Sequence, residues 1–215
     1  MLQIHLSQSL AKELESHLQD AMEAEPTALQ WFAHKVTVAR RKCLVMMEYQ
    51  SRYAMVFCGL TKKEFDNFPD LLQERMWREV NIISQLDDSL TEDDFAILSD
   101  LTLDLAATQY YQKGTDRSVM SHISQVVEDL RVSVEYDGFE LPTNTNEAIH
   151  FGLGVNDILR KRKGDKDYFV PLEVYTGFWL GLVDVVKSKM GTGQTAKAAV
   201  THSEDNVIHV DFGKR

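Results

Sequence analysis

The sequence predicts an α+β fold in which a small, mostly antiparallel sheet is covered by amphipathic helices. Residues 31–58 arrange their apolar side chains as three short strands. Residues 61–85 and 117–135 repeat apolar side chains every three to four positions, the period of a helix with one buried face. Because the strands are grouped in one stretch and the long helices follow it, the pattern favours an α+β domain.

The middle strand of residues 31–58 is expected to lie inside the sheet. Residues 43–47 are apolar at every position, whereas Val36 and Val38 alternate with polar neighbours. A strand without a polar face has to be covered on both sides. The polar segments 40–42 and 49–52 are the predicted chain reversals.

Two further strands are predicted outside this stretch. Residues 1–6 alternate apolar and polar side chains. Residues 101–112 combine alternating leucines with two tyrosines, and this composition favours a strand. The sheet is therefore predicted to contain four or five strands.

Local signals place the helices around these strands. Leucines at every fourth position of residues 10–18 predict a helix after the first strand. A capping-box pattern opens the 61–85 helix, which Pro69 bends or restarts. Thr91 and the acids after it are typical of a helix start rather than of a calcium loop, because the central glycine of such a loop is missing. A last helix is predicted at residues 171–190, with proline in its first turn.

Length and composition place the chain among ordinary globular proteins. Its 215 residues suffice for one sizeable core, so we expect a single α+β domain over residues 1–190 and a flexible tail over residues 191–215. Within the tail, residues 206–212 alternate and are able to add a strand to a sheet edge. No signal-peptide pattern and no apolar run of about 20 residues is present. The predicted location is the cytoplasm, without membrane association.

The two cysteines, Cys43 and Cys58, both lie in apolar strand contexts. This placement predicts two buried, reduced thiols rather than a disulfide or a metal-binding pair.

Charge is distributed unevenly along the chain. The formal net charge is −10, yet residues 31–63 hold seven Lys and Arg against Glu48 alone, a local excess of +6. Residues 64–141 hold eighteen Asp and Glu against five Lys and Arg, which is −13. The strand region is thus a basic island on an acidic protein, able either to attract an anion or to pair with acidic helices beside it.

A set of polar and aromatic residues is predicted to converge at one end of the sheet as a binding surface. It comprises Trp31, His34, Arg40, Arg41, Lys42, Asp116, Arg117, Ser118 and His122. Backbone N–H groups at a helix start and nearby arginines would hold a phosphate or a carboxylate. In the structural alternative, Asp116 or Thr115 caps the helix, Arg117 pairs with an acid, and Arg40 and Arg41 are turn residues.

Strong catalytic signatures are missing from the sequence. There is no Walker-type loop, nucleophile elbow, His-Glu-x-x-His or Cys-x-x-Cys. The seven histidines do not occur at ligand spacing. We therefore expect no cofactor and no metal. Residues 160–166 form a second basic cluster, predicted to be an exposed loop able to contact a nucleic-acid backbone.

Part of the chain resembles a bacterial family known as a domain of unknown function. The shared motifs are Trp31, the hairpin run Arg40–Val45, the strand Tyr53–Phe57 and the helix start Thr115–Val119. Some members of that family are similar to companions of plasmid-encoded ORF-3-like proteins, whose C-terminal parts residues 164–171 resemble. The resemblance covers roughly residues 1–185. It implies a fold grouping and a bacterial origin, and it assigns no chemistry.

Three hypotheses for function follow from these observations. The first is a non-enzymatic cytoplasmic interaction protein of mobile-element context, which binds a protein or nucleic-acid partner through its basic hairpin end. The second is an enzyme acting on a phosphate-containing or nucleic-acid substrate, with Arg40, Arg41 and Arg117 on the anion and His122 or His34 as general acid or base. The third is an acidic surface that mimics nucleic acid. An enzyme needs its side chains to meet in one cleft, whereas a binding protein can spread them over a face.

Overall fold

The structure, a computed structural model, describes residues 1–23, 25 and 28–190 together with two later strands. The strands are β1 (Leu2–Leu6), β2 (Leu29–Val38), β3 (Arg41–Glu48), β4 (Ala54–Cys58), β5 (Gln109–Lys113), β6 (Ala199–His202) and β7 (Ile208–Asp211). The helices are α1 (Gln8–Ala11), α2 (Lys62–Asp66), α3 (Phe68–Ser84), α4 (Glu92–Ala107), α5 (Arg117–Arg131), α6 (Thr145–Asn156) and α7 (Pro171–Met190). A 3₁₀ turn covers Glu15–His17, and a π turn, Val132–Tyr136, follows α5.

Five strands form one mixed sheet in the order β4-β3-β2-β1-β5. The three predicted central strands form an antiparallel meander, and β1 lies parallel to both β2 and β5. The α+β class predicted from the sequence is confirmed. The two pairings made by β1 are the part of the sheet that departs from the mostly antiparallel prediction.

Helices cover both faces of this sheet. Leu44 and Met46 of β3 face a core built with α3, α4 and α7, while Val45 and Met47 face a second core built with α5 and α6. All four side chains are fully buried. This two-sided burial confirms the prediction made for the apolar residues 43–47.

The helix predicted over residues 10–18 is interrupted. Leu10 and Leu14 are buried as their spacing predicts, but α1 ends at Ala11 and only a 3₁₀ turn follows. The chain beyond that turn is held by the free edge of β5. The backbone N–H of Gln19 donates to the carbonyl of Tyr111 (2.9 Å), and the Gln19 side chain accepts from the N–H of Tyr111 (2.9 Å). Hydrogen bonding along a sheet edge therefore replaces the second half of the predicted helix.

The strand predicted over residues 101–112 is wrong in its first half. Residues up to Ala107 continue α4, and β5 begins only at Gln109. Leu98 and Leu105 recur seven positions apart and both pack in the core, a spacing that fits two turns of helix. Leu103, which the alternation placed on the same face as Leu101 and Leu105, is 40% exposed.

The predicted 61–85 helix is divided into α2 and α3, and α3 starts at Phe68, directly before Pro69.

Strand β7, which falls in the alternating stretch at 206–212, pairs with β6 rather than with the five-stranded sheet. The flexibility predicted for residues 191–215 concerns 191–198, 203–207 and 212–215, which lie outside the described residues. No helix in the described part of the chain is long and apolar enough to cross a membrane.

The outer edge of β4 is closed by one side chain of α6. The N–H of Ala54 donates to the Asn156 side-chain oxygen (2.7 Å), and the Asn156 side-chain nitrogen donates to the carbonyl of Ala54 (2.8 Å). Asn156 is fully buried, so both backbone groups would otherwise lack a partner. The side chain substitutes for the missing neighbouring strand.

Asn156→Ala is expected to lower the free energy of unfolding by about 2–4 kcal/mol, because two buried backbone groups lose their partners. The measurement is urea unfolding followed by circular dichroism. Asn144→Ala is the matched control on the same helix. Asn144 is an exposed N-cap, whose loss costs about 1 kcal/mol. Equal losses for the two variants would contradict the role given to Asn156.

Candidate anion-binding site

The residues predicted to form one surface are placed at the two ends of β3. Arg40 lies in the two-residue turn between β2 and β3, with a positive φ of 63°, and Arg41 opens β3. The start of α5 lies at the other end, where Ser118 contacts Arg52 of the β3–β4 hairpin (3.4 Å). Since a strand rises about 3.3 Å per residue, the eight residues of β3 separate these groups by more than about 20 Å. The structure therefore does not bring Arg40 and Arg41 together with Ser118.

Trp31 and Lys42 have structural surroundings. The Trp31 ring is fully buried, and it packs edge-on against Tyr175 with ring centroids 6.0 Å apart. Lys42 forms an ion pair with Glu13 at 2.9 Å. His34 is half-buried on the face of β2 that α5 covers, and burial lowers its pKa.

The four residues predicted at the start of α5 divide into two groups. Asp116 caps the helix by accepting a hydrogen bond from the N–H of Val119 (2.9 Å), and Arg117 is exposed. Ser118 and His122 are half-buried and face the β3–β4 hairpin and the loop after α6. Only Ser118 and His122 of the predicted set meet at one candidate site.

Arg52 is the first component of this site that the sequence did not single out. It has a left-handed backbone (φ 59°), and only 3% of it is exposed. Its guanidinium lies over the Tyr49 ring at 5.0 Å, donates to the Tyr49 carbonyl, and contacts the Ser118 hydroxyl. Its Nε atom is buried without a hydrogen-bond partner. A buried non-glycine residue in the left-handed region is uncommon and is often found at functional sites.

Arg160 is the second component of this site that the sequence did not single out. It belongs to the basic cluster predicted to be exposed, yet only 3% of it is accessible. Its backbone pairs with that of Phe169 (2.8 and 2.9 Å), which turns the side chain inward. The guanidinium donates to the Gln125 side chain (3.2 Å) and to the Val155 carbonyl (3.3 Å), and its Nε has no partner.

Arg162 connects the loop carrying Arg160 to the hairpin carrying Arg52. It donates to Asp165 (2.7 Å) and to the carbonyl of Gln50 (3.0 Å). The chain segments on either side of the site are therefore tied to each other.

The two buried guanidinium groups are close enough to repel each other. Burial is the largest cause that lowers the pKa of both Arg52 and Arg160, and the charge of Arg52 lowers the pKa of Arg160 further. His122 lies in the positive electrostatic potential of the same two arginines. Its pKa is lowered to about 4, first by burial and then by the charges of Arg160 and Arg52.

Carboxylates surround this pair without contacting it. Glu48 and Asp116 act on Arg52 at a distance, and Asp129 acts on Arg160. The Glu48 carboxylate accepts hydrogen bonds from the turn that follows it, and Asp116 caps α5. Among the described residues, neither arginine of the pair forms an ion pair. We call Arg52, Ser118, His122 and Arg160 the arginine-pair site.

Stacked rings continue from this site across the sheet. Phe32 packs against Tyr49 with ring centroids 5.9 Å apart, and His5 stacks on Phe32 at 4.5 Å. The Tyr49 ring beneath the guanidinium of Arg52 is thus packed against the Phe32 ring. Chemically, the site offers hydrogen-bond donors and positive charge, which suit an oxyanion. No cluster of three or more His, Cys, Asp or Glu able to hold a metal occurs in the described part of the chain.

Stability should depend on pH through His122. Because its folded-state pKa of about 4 lies below the ordinary value of 6.5, the unfolded chain binds the proton first, and stability is lost as pH falls from about 6.5 towards 4. We expect His122→Gln to lose less stability than the wild type between pH 7.5 and pH 5 in urea unfolding. His150→Gln, at an exposed position of α6, should behave as the wild type. Parallel pH profiles for all three proteins would contradict this assignment.

Comparison with models of protein families assigns most of the chain to a family. A family model described as Domain of unknown function (DUF6933) matches residues 3–174, a range that includes every residue of the arginine-pair site. No curated protein matches the chain.

Proposed function

The chain belongs to the family described as Domain of unknown function (DUF6933), and from the geometry of the arginine-pair site we propose that it binds a phosphate-bearing ligand there. The observation that carries the proposal is the burial of two guanidinium groups, Arg52 and Arg160, that no carboxylate contacts. An uncompensated buried charge is costly, and two of like sign are more so. A bound anion would offset that cost.

A phosphate group suits the donors of this site. Arginine presents a planar fork of N–H groups that matches phosphate oxygens, and each arginine has an Nε–H without a partner. The Ser118 hydroxyl lies at the first turn of α5, where the helix dipole adds a positive field. Together these groups can coordinate several oxygens of one phosphate.

Binding is favoured over acid–base catalysis. A histidine whose pKa is about 4 is a weak base at neutral pH, although it can still accept or donate one hydrogen bond in its neutral form. In this proposal His122 orients the ligand and takes up a proton more readily once an anion is bound. The proposal thus keeps the anion binding of the enzymatic hypothesis and leaves out its chemical step.

The exposed hairpin end is not the basis of the proposal. Arg40, in the β2–β3 turn, and Arg41, the first residue of β3, are both exposed, and the neighbouring Lys42 is paired with Glu13. A protein or nucleic-acid partner at that end stays a prediction from the sequence. The bacterial origin that the resemblance implies, the mobile-element context and the cytoplasmic location also stay predictions.

Inorganic phosphate is expected to raise the melting temperature of the purified protein and to give saturable binding in isothermal titration calorimetry at constant ionic strength. Arg52→Gln and Arg160→Gln should each weaken phosphate binding at least about tenfold, because each removes charged hydrogen bonds. The double variant Arg40→Gln/Arg41→Gln is the matched control, and we expect it to bind as the wild type does.

Binding of a single-stranded oligonucleotide and of a nucleoside monophosphate is measured in the same way as binding of inorganic phosphate. Equal effects of chloride and phosphate, or unchanged binding by both single variants, would refute the proposal. Both variants should remain folded, since removing one of two repelling buried charges relieves a cost. Urea unfolding without phosphate separates loss of binding from loss of structure.

A further inference from the structure

The two cysteines of the chain face each other across the β3–β4 pair. Cys43 and Cys58 are direct partners in the antiparallel register, and both side chains lie on the face that α5 and α6 cover. Cys43 is fully buried, as predicted, but Cys58 is only half-buried. Both are free thiols in the structure.

Backbone hydrogen bonding sets the distance between them. Glu48 donates its N–H to Tyr53 across the same two strands (2.9 Å), which makes that pair a hydrogen-bonded one. Hydrogen-bonded and non-hydrogen-bonded pairs alternate along an antiparallel ladder. The Cys43–Cys58 pair lies five positions along the register from the hydrogen-bonded Glu48–Tyr53 pair. Because the two kinds of pair alternate, an odd number of steps makes Cys43 and Cys58 a non-hydrogen-bonded pair.

Other contacts of β4 support this parity. Ala54 directs its N–H and C=O outward to Asn156, and Val56 directs its carbonyl outward to Arg75 (3.1 Å). Cys58 has the same parity as these two residues. Non-hydrogen-bonded partners have Cα atoms about 4.5 Å apart, which lies within the range that a disulfide spans.

The two thiols are also hydrogen-bonded to each other, and Cys58 borders a small cavity. The thiol of Cys58 donates a hydrogen bond to Cys43, which lowers the pKa of Cys43 to about 7. The partly exposed Cys58 borders a cavity of about 90 Å³ lined also by Arg75, Pro142 and Ala148. The hydrogen bond to Cys43 and burial raise the pKa of Cys58, so Cys58 stays a thiol. The pair therefore combines a thiol that loses its proton near neutral pH, Cys43, with a partner thiol at a small cavity, Cys58.

We propose that Cys43 and Cys58 are a redox site, a dithiol that a peroxide converts into a cross-strand disulfide between β3 and β4. This site is independent of the phosphate binding proposed above.

The reaction balances with hydrogen peroxide as the only oxidant. The thiolate of the pair attacks the O–O bond, which breaks to give a sulfenic acid and hydroxide. The neighbouring thiol attacks the sulfenic sulfur, the S–S bond forms, and the second oxygen leaves as water. In sum, two thiols and one peroxide give one disulfide and two waters. A thiol reductant reverses the change.

Oxidation of the full chain should be followed by intact mass and by peptide mapping without reductant. With hydrogen peroxide we expect a loss of about 2 Da, since two hydrogens leave, and a cross-linked peptide containing Cys43 and Cys58. Both should disappear after treatment with dithiothreitol. Absence of the 2 Da loss while the thiols react, or persistence of two unreacted thiols, would overturn the proposal.

Single variants provide the control. In Cys43→Ser and Cys58→Ser the remaining thiol has no partner, so peroxide should add oxygen in steps of about 16 Da or link two chains, and no 2 Da loss should occur. Cys58→Ala serves if the serine variant does not fold. The wild-type measurement decides the proposal without any variant, and cross-linking only between chains would count against it.

Discussion

The structure depends on covering β2 and β3, the two strands of the meander that lie inside the sheet, on both faces at once. Burying one large apolar side chain contributes about 1.5–3 kcal/mol, and β3 alone places four such side chains, from Leu44 to Met47, out of contact with water. One helical layer cannot cover both faces, so α3, α4 and α7 pack on one side and α5 and α6 on the other. The placement of α5 brings Ser118 and His122 against the β3–β4 hairpin.

The same constraint leaves two sheet edges to be closed, and the chain closes them by different means. The edge of β5 is covered by backbone and side-chain bonds from residues 18–19. The edge of β4 lies above a buried polar network in which Glu79 accepts from Arg75 and from the Tyr53 hydroxyl (2.8 Å). Burial raises the pKa of Glu79, and the charge of Arg75 opposes that shift. The buried Glu79 carboxylate is therefore paired with the Arg75 guanidinium, which also donates a hydrogen bond to the Val56 carbonyl of the edge strand β4.

Arg75 and the arginine-pair site show two opposite treatments of buried charge. Arg75 has a carboxylate partner in Glu79, and its role is explained by the fold. Arg52 and Arg160 are equally buried, repel each other, and lack such a partner among the described residues. Arg52 also holds a left-handed backbone conformation. Buried charges without a directly contacting counter-charge are found at functional sites more often than elsewhere.

The sequence by itself determined the secondary structure wherever one local period dominates. The continuous apolar run at residues 43–47 predicted a strand buried on both faces, and the apolar face of residues 117–135 predicted α5. These patterns are local, because each side chain is compared only with neighbours a few positions away. Residues 10–18 and 101–107 were misassigned because hydrogen bonding to β5 and packing in the helical layer, respectively, decided their structure.

Only the tertiary structure decided which charged residues meet. Arg52 lies in a predicted turn and Arg160 in a basic cluster, and both contexts are usually solvated, so neither position signalled burial. They are more than a hundred positions apart, and the hairpin, α5 and the loop after α6 bring them together. Arg40 and Arg41 carry the same charge as Arg52 in the same stretch of sequence, yet they lie at the opposite end of β3. Strand β3 therefore separates the buried Arg52, which follows its last residue, from the exposed Arg40 and Arg41 at its start. No local pattern in the sequence specifies that the far end of β3 meets the start of α5.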